Sequence, residues 1–354
     1  MKRVTSIILA ATVICSLGVV SAEKSDDNNK ITLIINGEIV EPDVAPFIKN
    51  DRILLPMRTV FEELGCCAKY YEKTKTIDVL CGENFVEFFV GDDTMLVNYE
   101  EKKIDVAPII YNDRTLVPIR AVSEAIGADV QWDDDTRTVS IELKQGEHRI
   151  RTKSKEKNIR NENGTILMTR SCSYPVIENS EGDSYINEIN KYYEINAENC
   201  LNDLSESENY TEYLDGTEEN FSPVTFDLFF KVNTDKNGII SITNSILYYY
   251  GGMHPDSVKE SKTFDLNNKR ELTLEDVIEG NENECHNMVY NAFLKYLEEH
   301  SEMVWPEAVS CLDEECENVN FCLTDNSIIL NLPIYSIGPF AMGYPTVELP
   351  LSED

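Results

Sequence analysis

The segment Ala45–Arg58 reads APFIKNDRILLPMR, and Ala107–Arg120 reads APIIYNDRTLVPIR, at a constant offset of 62 residues (Pro46 to Pro108, Pro56 to Pro118). Working outward, Asp43–Cys81 lies on Asp105–Leu143 without a gap. Asn50-Asp51 and Asn112-Asp113 separate short apolar runs, and both residue types tolerate turn conformations, so each pair predicts a hairpin. Pro56 and Pro118 then fall in the first turn of a helix, where a missing N–H costs nothing. Met57, Val60 and Leu64, and Ile119, Val122 and Ile126 in the second copy, share one helical face. Gly65 and Gly127 stop the helices. A strand pair closes each unit; in the second copy, around the turn Asp133–Thr136, the expected register sets Val130 opposite Val139 and Ala128 opposite Ile141. Each half reads as strand, turn, strand, helix, hairpin.

Two copies of one segment also test any functional reading, because a repeated site repeats its residues. Arg58/Glu62 and Arg120/Glu124 recur, but such i, i+4 pairs are ordinarily surface links. Asp133-Asp134-Asp135 resembles a cation cluster until its counterpart, Tyr71-Glu72-Lys73, is read, so it is taken as a turn. Tyr70 and Trp132 occupy equivalent positions and are candidate glycan-stacking residues, with a buried aromatic anchor as the alternative. The copies differ at Cys66/Ala128, Cys67/Asp129 and Cys81/Leu143. Strand alternation puts Cys66 and Cys81 on the buried face and Cys67 on the other. In the expected register Cys66 and Cys81 are diagonal neighbours, ~7–8 Å apart. They read as a disulfide or as two buried thiols, with Cys67 the odd thiol, free or intermolecular.

The chain start predicts an exported protein. Lys2 and Arg3 precede an apolar run from Ile7 to Val20 that ends in Val20-Ser21-Ala22, the pattern of a secretory signal peptide over residues 1–22. No later segment offers the ~20 apolar residues of a spanning helix. The 354-residue chain carries a formal charge of −33, which argues against nucleic acid because phosphate binding needs a basic footprint. Of ten cysteines, Cys15 falls in the leader, and the other nine outside a cell read as disulfides or buried thiols. With four histidines and no C-x-x-C, a metal site is not expected.

The pattern NGEIVEPDVAP, followed by NDRTLVPIRAVSEAIGADVQWDDDTRTVSIEL, resembles the copper amine oxidase-like N-terminal domain of exported bacterial proteins, over residues 31–144. The resemblance implies an antiparallel sheet packed with helices that binds or spaces. It is to an accessory domain and not to the oxidase catalytic domain, so no metal ligand or quinone cofactor is carried over.

Residues 145–163 are basic and poor in apolar side chains (Arg149, Arg151, Lys153, Lys155, Lys157, Arg160) and read as a hydrophilic linker. Beyond it, Thr165–Ile177, Val224–Val232, Ile239–Tyr250, Ser327–Pro333 and Thr346–Pro350 read as strands, and Asp183–Leu204 and Cys285–His300 as two main helices. The stretches Tyr248–Pro255 (YYYGGMHP), Lys262–Leu266, Glu271–Asp276 and Ser336–Pro345 resemble the lysozyme-sensing extracytoplasmic domain of anti-sigma-V factors. The same region precedes the catalytic domain of some peptidoglycan deacetylases. That resemblance, over about residues 165–350 of a domain read as 164–354, implies contact with a cationic hydrolase. Neither a cytoplasmic anti-sigma segment nor a deacetylase domain accompanies it.

His254 sits in a glycine-rich turn without a nucleophile motif, so a backbone-bonded loop histidine competes with any catalytic role. Tyr248, Tyr249, Tyr250 and His254 are the candidate partner-binding residues, since tyrosines beside flexible glycines suit an interface. The expectation is a two-domain α+β protein, secreted and wall-associated, without cofactor or catalytic residues. It would bind wall glycan or a lysozyme-like cationic protein. The alternatives are an exported enzyme acting on wall polymers and a structural spacer.

Overall fold

The computed structural model describes residues 30–144, 146–179, 181–202, 223–250, 255–278 and 280–351, without the side chains of Val122 and Glu124. The expected leader (1–22) and His254 lie outside the described residues. A hairpin of β1 (Thr32–Ile35) and β2 (Glu38–Val40) precedes the first copy of the repeat. That copy forms β3 (Phe47–Lys49), β4 (Arg52–Pro56), α1 (Met57–Glu63), β5 (Cys67–Tyr71) and β6 (Thr76–Cys81). Strands β7 (Asn84–Phe89), β8 (Thr94–Val97) and β9 (Glu100–Lys103) follow. The second copy then repeats the order as β10 (Ile109–Tyr111), β11 (Arg114–Pro118), α2 (Ile119–Ile126), β12 (Asp129–Asp133) and β13 (Thr138–Glu142).

The quoted segment specifies how the copies interlock. Asn50 and Asp51 have φ of 50° and 58°, and Asn112 and Asp113 have 48° and 57°, the doubly left-handed turn that a tight hairpin requires. Strand β4 then pairs antiparallel with β11 so that Leu55 faces Val117, its own equivalent at offset 62. A residue paired with its own copy marks a pseudo-twofold axis. Around that axis Leu54 meets Leu116, and Val44, Val106, Phe47 and Ile109 complete a small apolar cluster of three equivalent pairs.

The repeated Asp and Arg bind across the axis rather than within their own copy. Arg52 Nε donates to Asp105 Oδ2 at 2.8 Å, and Arg114 pairs in the same way with Asp43. Both pairs are open to solvent. Arg52→Ala and Arg114→Ala are therefore each expected to cost less than about 1 kcal/mol in urea unfolding. A loss of several kcal/mol would mean that the ion pairs, not the apolar cluster, hold the halves.

The repeat reaches further than Asp43. Hairpins β1–β2 and β8–β9 sit at the same offset, each turning at an Asn with positive φ (Asn36, 48°; Asn98, 50°). One sheet runs β12-β13-β1-β2 and the other β5-β6-β7-β8-β9, so β7 is an added strand in an otherwise duplicated sheet. Helices α1 and α2 lie between, burying Met57, Val60, Phe61 and Leu64, and Ile119 and Ile126, in one core.

The β12–β13 hairpin corrects the expected register. Val130 lies opposite Ile141 and Trp132 opposite Val139, two residues from the expected pairing. The cause is a wider turn: Asp133 Oδ1 accepts from the N–H groups of Asp135 and Thr136 (2.9 and 3.1 Å), and Arg137 takes a φ of 52°. A two-residue shift preserves faces. In the first copy it turns a diagonal neighbour into a direct one, and Cys66 and Cys81 are disulfide-bonded with Cα atoms 4.5 Å apart.

The segment expected as a linker, 145–163, forms a strand over much of its described residues. Ile150–Arg160 forms β14, paired along its length with β15 (Ile166–Ile177) at the rim of a six-stranded sheet. Its inward Ile150 and Thr152 are buried, while its charges face out and are used. Arg149 binds Glu63 at 3.0 Å, and Lys155 binds Glu198 at 2.9 Å. A charged edge strand also resists pairing with other chains.

The sheet continues through β16 (Val224–Lys236), β17 (Ile239–Tyr249), β18 (Asp256–Asp265) and β19 (Arg270–Leu272), all antiparallel except the short β15–β16 contact. Helix α3 (Ser184–Asn202) packs on it through Ile186, Ile189, Tyr193 and Ala197, as its spacing predicts. A last layer joins α4 (Leu274–Val277), α5 (Glu282–Glu299) and α6 (Ala308–Glu317) to β20 (Asn320–Leu323), β21 (Ser327–Asn331) and β22 (Thr346–Pro350). Helix α6 is a third main helix beyond the two expected; its apolar stripe is Ala308, Leu312 and Cys316.

Candidate functional site

Trp132 and Tyr70 take equivalent positions but different settings. Both pack partly against the repeat core. Trp132 also walls an open groove of about 250 Å3 together with Arg52, Arg120, Ile48, Ile53 and Pro118. Its indole N–H donates to Asp134 at 3.1 Å, and the Arg137 guanidinium lies 6.0 Å from the ring. Arg52 and Arg120 continue into an adjoining depression of about 210 Å3 lined by Lys102 and Lys103. The face thus carries Arg52, Arg120, Lys102 and Lys103 beside Asp51 and Asp105, with Arg52 paired to Asp105 and Lys103 to Asp93.

Tyr248, Tyr249 and Tyr250 end β17 and leave it, each half-buried. Tyr248 stands edge-on to Phe226 with ring centres 4.9 Å apart, and Tyr250 stacks near it at 6.3 Å. Tyr248 thus belongs partly to the core of the long sheet. Exposed Val258 lies on the neighbouring strand, and Lys259 sits 4.4 Å from the Tyr344 ring.

A third group was not expected from sequence. The outward face of β5 and β6 docks on β15 and β16 around a cavity of about 130 Å3, lined by Cys67, Lys69, Tyr71, Asp78 and Asp227. Lys69 forms a largely buried ion pair with Asp227, and its Nζ lies 4.7 Å from the Tyr71 ring centre. Burial pushes the Asp78 carboxyl up to about 7; Glu87 on the next strand adds to the rise, Lys69 opposes it and Asp227 adds again. Asp78 Oδ1 has no hydrogen-bond partner. Burial raises the Cys67 thiol to about 12, and its Sγ donates to the Phe230 carbonyl at 3.6 Å. These groups lie at the junction that joins the module to the sheet.

The signal for this junction lies where the copies differ. Cys67, Lys69, Asp78 and Leu80 stand where the second copy has Asp129, Gln131, Ser140 and Glu142. A face that is polar and solvated in one copy is apolar or charge-paired in the other. Among the described residues no group of three or more His, Cys, Asp or Glu side chains is placed to hold a metal ion. Among them, too, no helix is long and apolar enough to cross a membrane.

Comparison with known proteins follows this division. Residues 34–141 match the family model of the copper amine oxidase N-terminal domain. The first module is similar to that domain. Residues 161–257 match the deacetylase PdaC model, and residues 275–352 match a protein of unknown function, DUF3298. A curated protein named protease inhibitor, from Brevibacillus choshinensis, is 33% identical over 138 residues, covering 39% of this chain and 42% of its own length. The chain thus spans less than half of that relative. Solved DUF3298 proteins from Pseudomonas aeruginosa PAO1 and Bacteroides fragilis NCTC 9343 align with 57% and 59% of this chain and 89% and 92% of theirs. They do so at 15% and 16% identity, each with a TM-score of 0.36. The domain matches and the disulfide fit an extracellular, cell-envelope-related protein.

Proposed function

We propose that the protein is a non-enzymatic binding protein of the cell envelope whose repeat module contacts wall glycan. The observation that carries this reading is the groove in which the Trp132 indole stands beside Arg52 and Arg120. A sugar ring presents a C–H face to an aromatic surface and hydroxyls to guanidinium donors, and the groove offers both. Trp132→Ala should weaken binding to purified wall about ten-fold, equivalent to ~1.4 kcal/mol, in a sedimentation assay. Undiminished binding by a folded variant removes the groove from consideration.

A second reading, a protein partner, is supported by the curated relative named protease inhibitor. The half-buried Tyr248–Tyr250 run beside exposed Val258 offers an aromatic contact surface. A cationic partner of the lysozyme type suits the charge of −33. Opposite charges speed encounter, and screening acts over ~8 Å at physiological ionic strength. Lysozyme titrated at low and high salt should bind more weakly at high salt. Failure to bind at low salt removes this partner.

A further inference from the structure

The junction between the repeat module and the long sheet holds an amine and a carboxylate in direct contact, largely out of water. Lys69 and Asp227 form an ion pair whose side chains are 18% and 10% exposed. They stand 158 positions apart in the chain. Both sit inside regular strands, Lys69 on β5 and Asp227 on β16, where Asp227 lies opposite Ser171 on one side and Leu247 on the other. Neither side chain rides on a loop, so two hydrogen-bonded sheets hold the contact.

A second acid stands beside the pair. Asp78 is the direct partner of Lys69 in the β5–β6 ladder, and such partners carry Cβ atoms ~4.5–5.5 Å apart. It lines the same cavity of about 130 Å3 as Lys69, Tyr71 and Asp227, and its Oδ1 has no hydrogen-bond partner. Burial first, and then Glu87, push its carboxyl up to about 7, so near neutral pH it passes readily between acid and carboxylate. The Tyr71 ring centre lies 4.7 Å from Lys69 Nζ, and the Tyr71 hydroxyl donates to Asp227. Apolar Leu80, Phe85, Phe229 and Leu247 complete the wall. In the second copy, whose outer face is wet, Gln131 and Ser140 replace Lys69 and Asp78.

Taking two charges out of water is costly, and their attraction only partly repays it. An amide made from the same two groups carries no charge. Condensation therefore relieves the cost of burial, and a junction closed to solvent opposes the reverse hydrolysis. The reaction needs the amine held against the carbonyl carbon, a desolvated nucleophile and a group that moves protons. The ion pair supplies the first, the apolar wall the second, and Asp78 the third.

We propose that Lys69 and Asp227 condense into an isopeptide bond that ties the repeat module covalently to the long sheet, with Asp78 relaying the protons. Lys69 Nζ attacks Asp227 Cγ, the new C–N bond forms, and one Asp227 C–O bond breaks. Two protons leave the nitrogen and two join the departing oxygen, which leaves as water. Ammonium and carboxylate become one neutral amide, no electrons are transferred, and Asp78 ends as it began. The ion pair is the unreacted state, and the pH dependence of stability that Asp78 confers belongs to that state. The bond stands apart from the Trp132 groove, and either can fail without the other.

The test is the mass of the folded full chain. Wild type should weigh one water less than Lys69→Met once the substitution is allowed for. Its tryptic digest should contain a branched peptide that joins the segments around Lys69 and Asp227 and is uncut after Lys69. Asp227→Ala should keep its full mass. Asp78→Asn retains both reacting groups; synthesised cell-free and sampled over time, it should form the branched peptide about a hundred-fold more slowly than wild type. Circular dichroism checks that each variant has folded. A folded wild type of full mass, or a branch at another pair of residues, overturns the bond. A folded Asp78→Asn that reacts as fast as wild type overturns the relay.

Discussion

Asp78→Asn is expected to stabilise the protein by up to about 4 kcal/mol near pH 8, and to change little near pH 3. The argument starts from the pairing of β5, β6 and β7, which sets Asp78 between Lys69 and Glu87. Docking of this face on β16 brings Asp227 close and removes water, and the carboxyl is pushed up to about 7 with burial as the leading cause. In the unfolded chain the same group ionises near 3.9. Between those values the folded state holds a proton that the unfolded state has released, so stability falls as pH rises through that window and levels off above it. Burial likewise raises Glu87 and Glu62, the latter against a Ser154 hydrogen bond, so both act in the same direction. Asparagine keeps the shape and never ionises. Urea unfolding of wild type and variant near pH 3 and pH 8 decides the matter; an equal gap at both would show that Asp78 is not the titrating group.

The parts of the fold that were legible share one physical feature: short-range rules determined them. Asn50-Asp51 and Asn112-Asp113 must turn with positive φ, Pro56 and Pro118 sit at a helix start, and Ile186, Ile189, Tyr193 and Ala197 can share a buried stripe only on a helix. What was misread depended on distant partners. Residues 150–160 looked like linker because their charges outnumber their apolar side chains. Yet Ile150, Thr152 and Ser154 alternate with Arg151, Lys153 and Lys155, which is a strand pattern once acids on α1 and α3 neutralise the basic face.

The candidate site divided in the same way. Trp132 was visible as an aromatic in a repeated position, and its open groove was not, because Arg52 and Arg120 come from opposite copies of the repeat. The junction of Lys69, Asp78 and Asp227 joins residues more than a hundred positions apart. Comparing what the copies do not share would have exposed it. Shared residues build the common core, whereas Cys67 against Asp129 and Leu80 against Glu142 record that one outer face is covered and the other wet.

Breaking the Cys66–Cys81 bond by the double change Cys66→Ser, Cys81→Ser is expected to cost about 3 kcal/mol, the loop-closure value for a link across a sequence separation of 15. The wider hairpin turn places the two residues directly opposite each other on the buried face of β5 and β6, with Cys66 wholly buried and Cys81 nearly so. Serine adds a second penalty, since each hydroxyl would enter an apolar core without an assured partner. The protein contains its own comparison, because the second copy fills the same two positions with Ala128 and Leu143 and folds the same elements. Cys66→Ala with Cys81→Leu should therefore lose less than the serine pair, as packing replaces part of the covalent constraint. Cys67 faces the long sheet as a buried thiol and cannot substitute for Cys66 without reversing the strand. Unfolding with and without reductant separates the possibilities. Reductant should lower the stability of the wild type by about as much as losing the bond in the variants, and leave both double variants unmoved. A wild type indifferent to reductant, or a peptide map linking Cys67 to Cys81, would refute the pairing and with it the register on which the docked face rests.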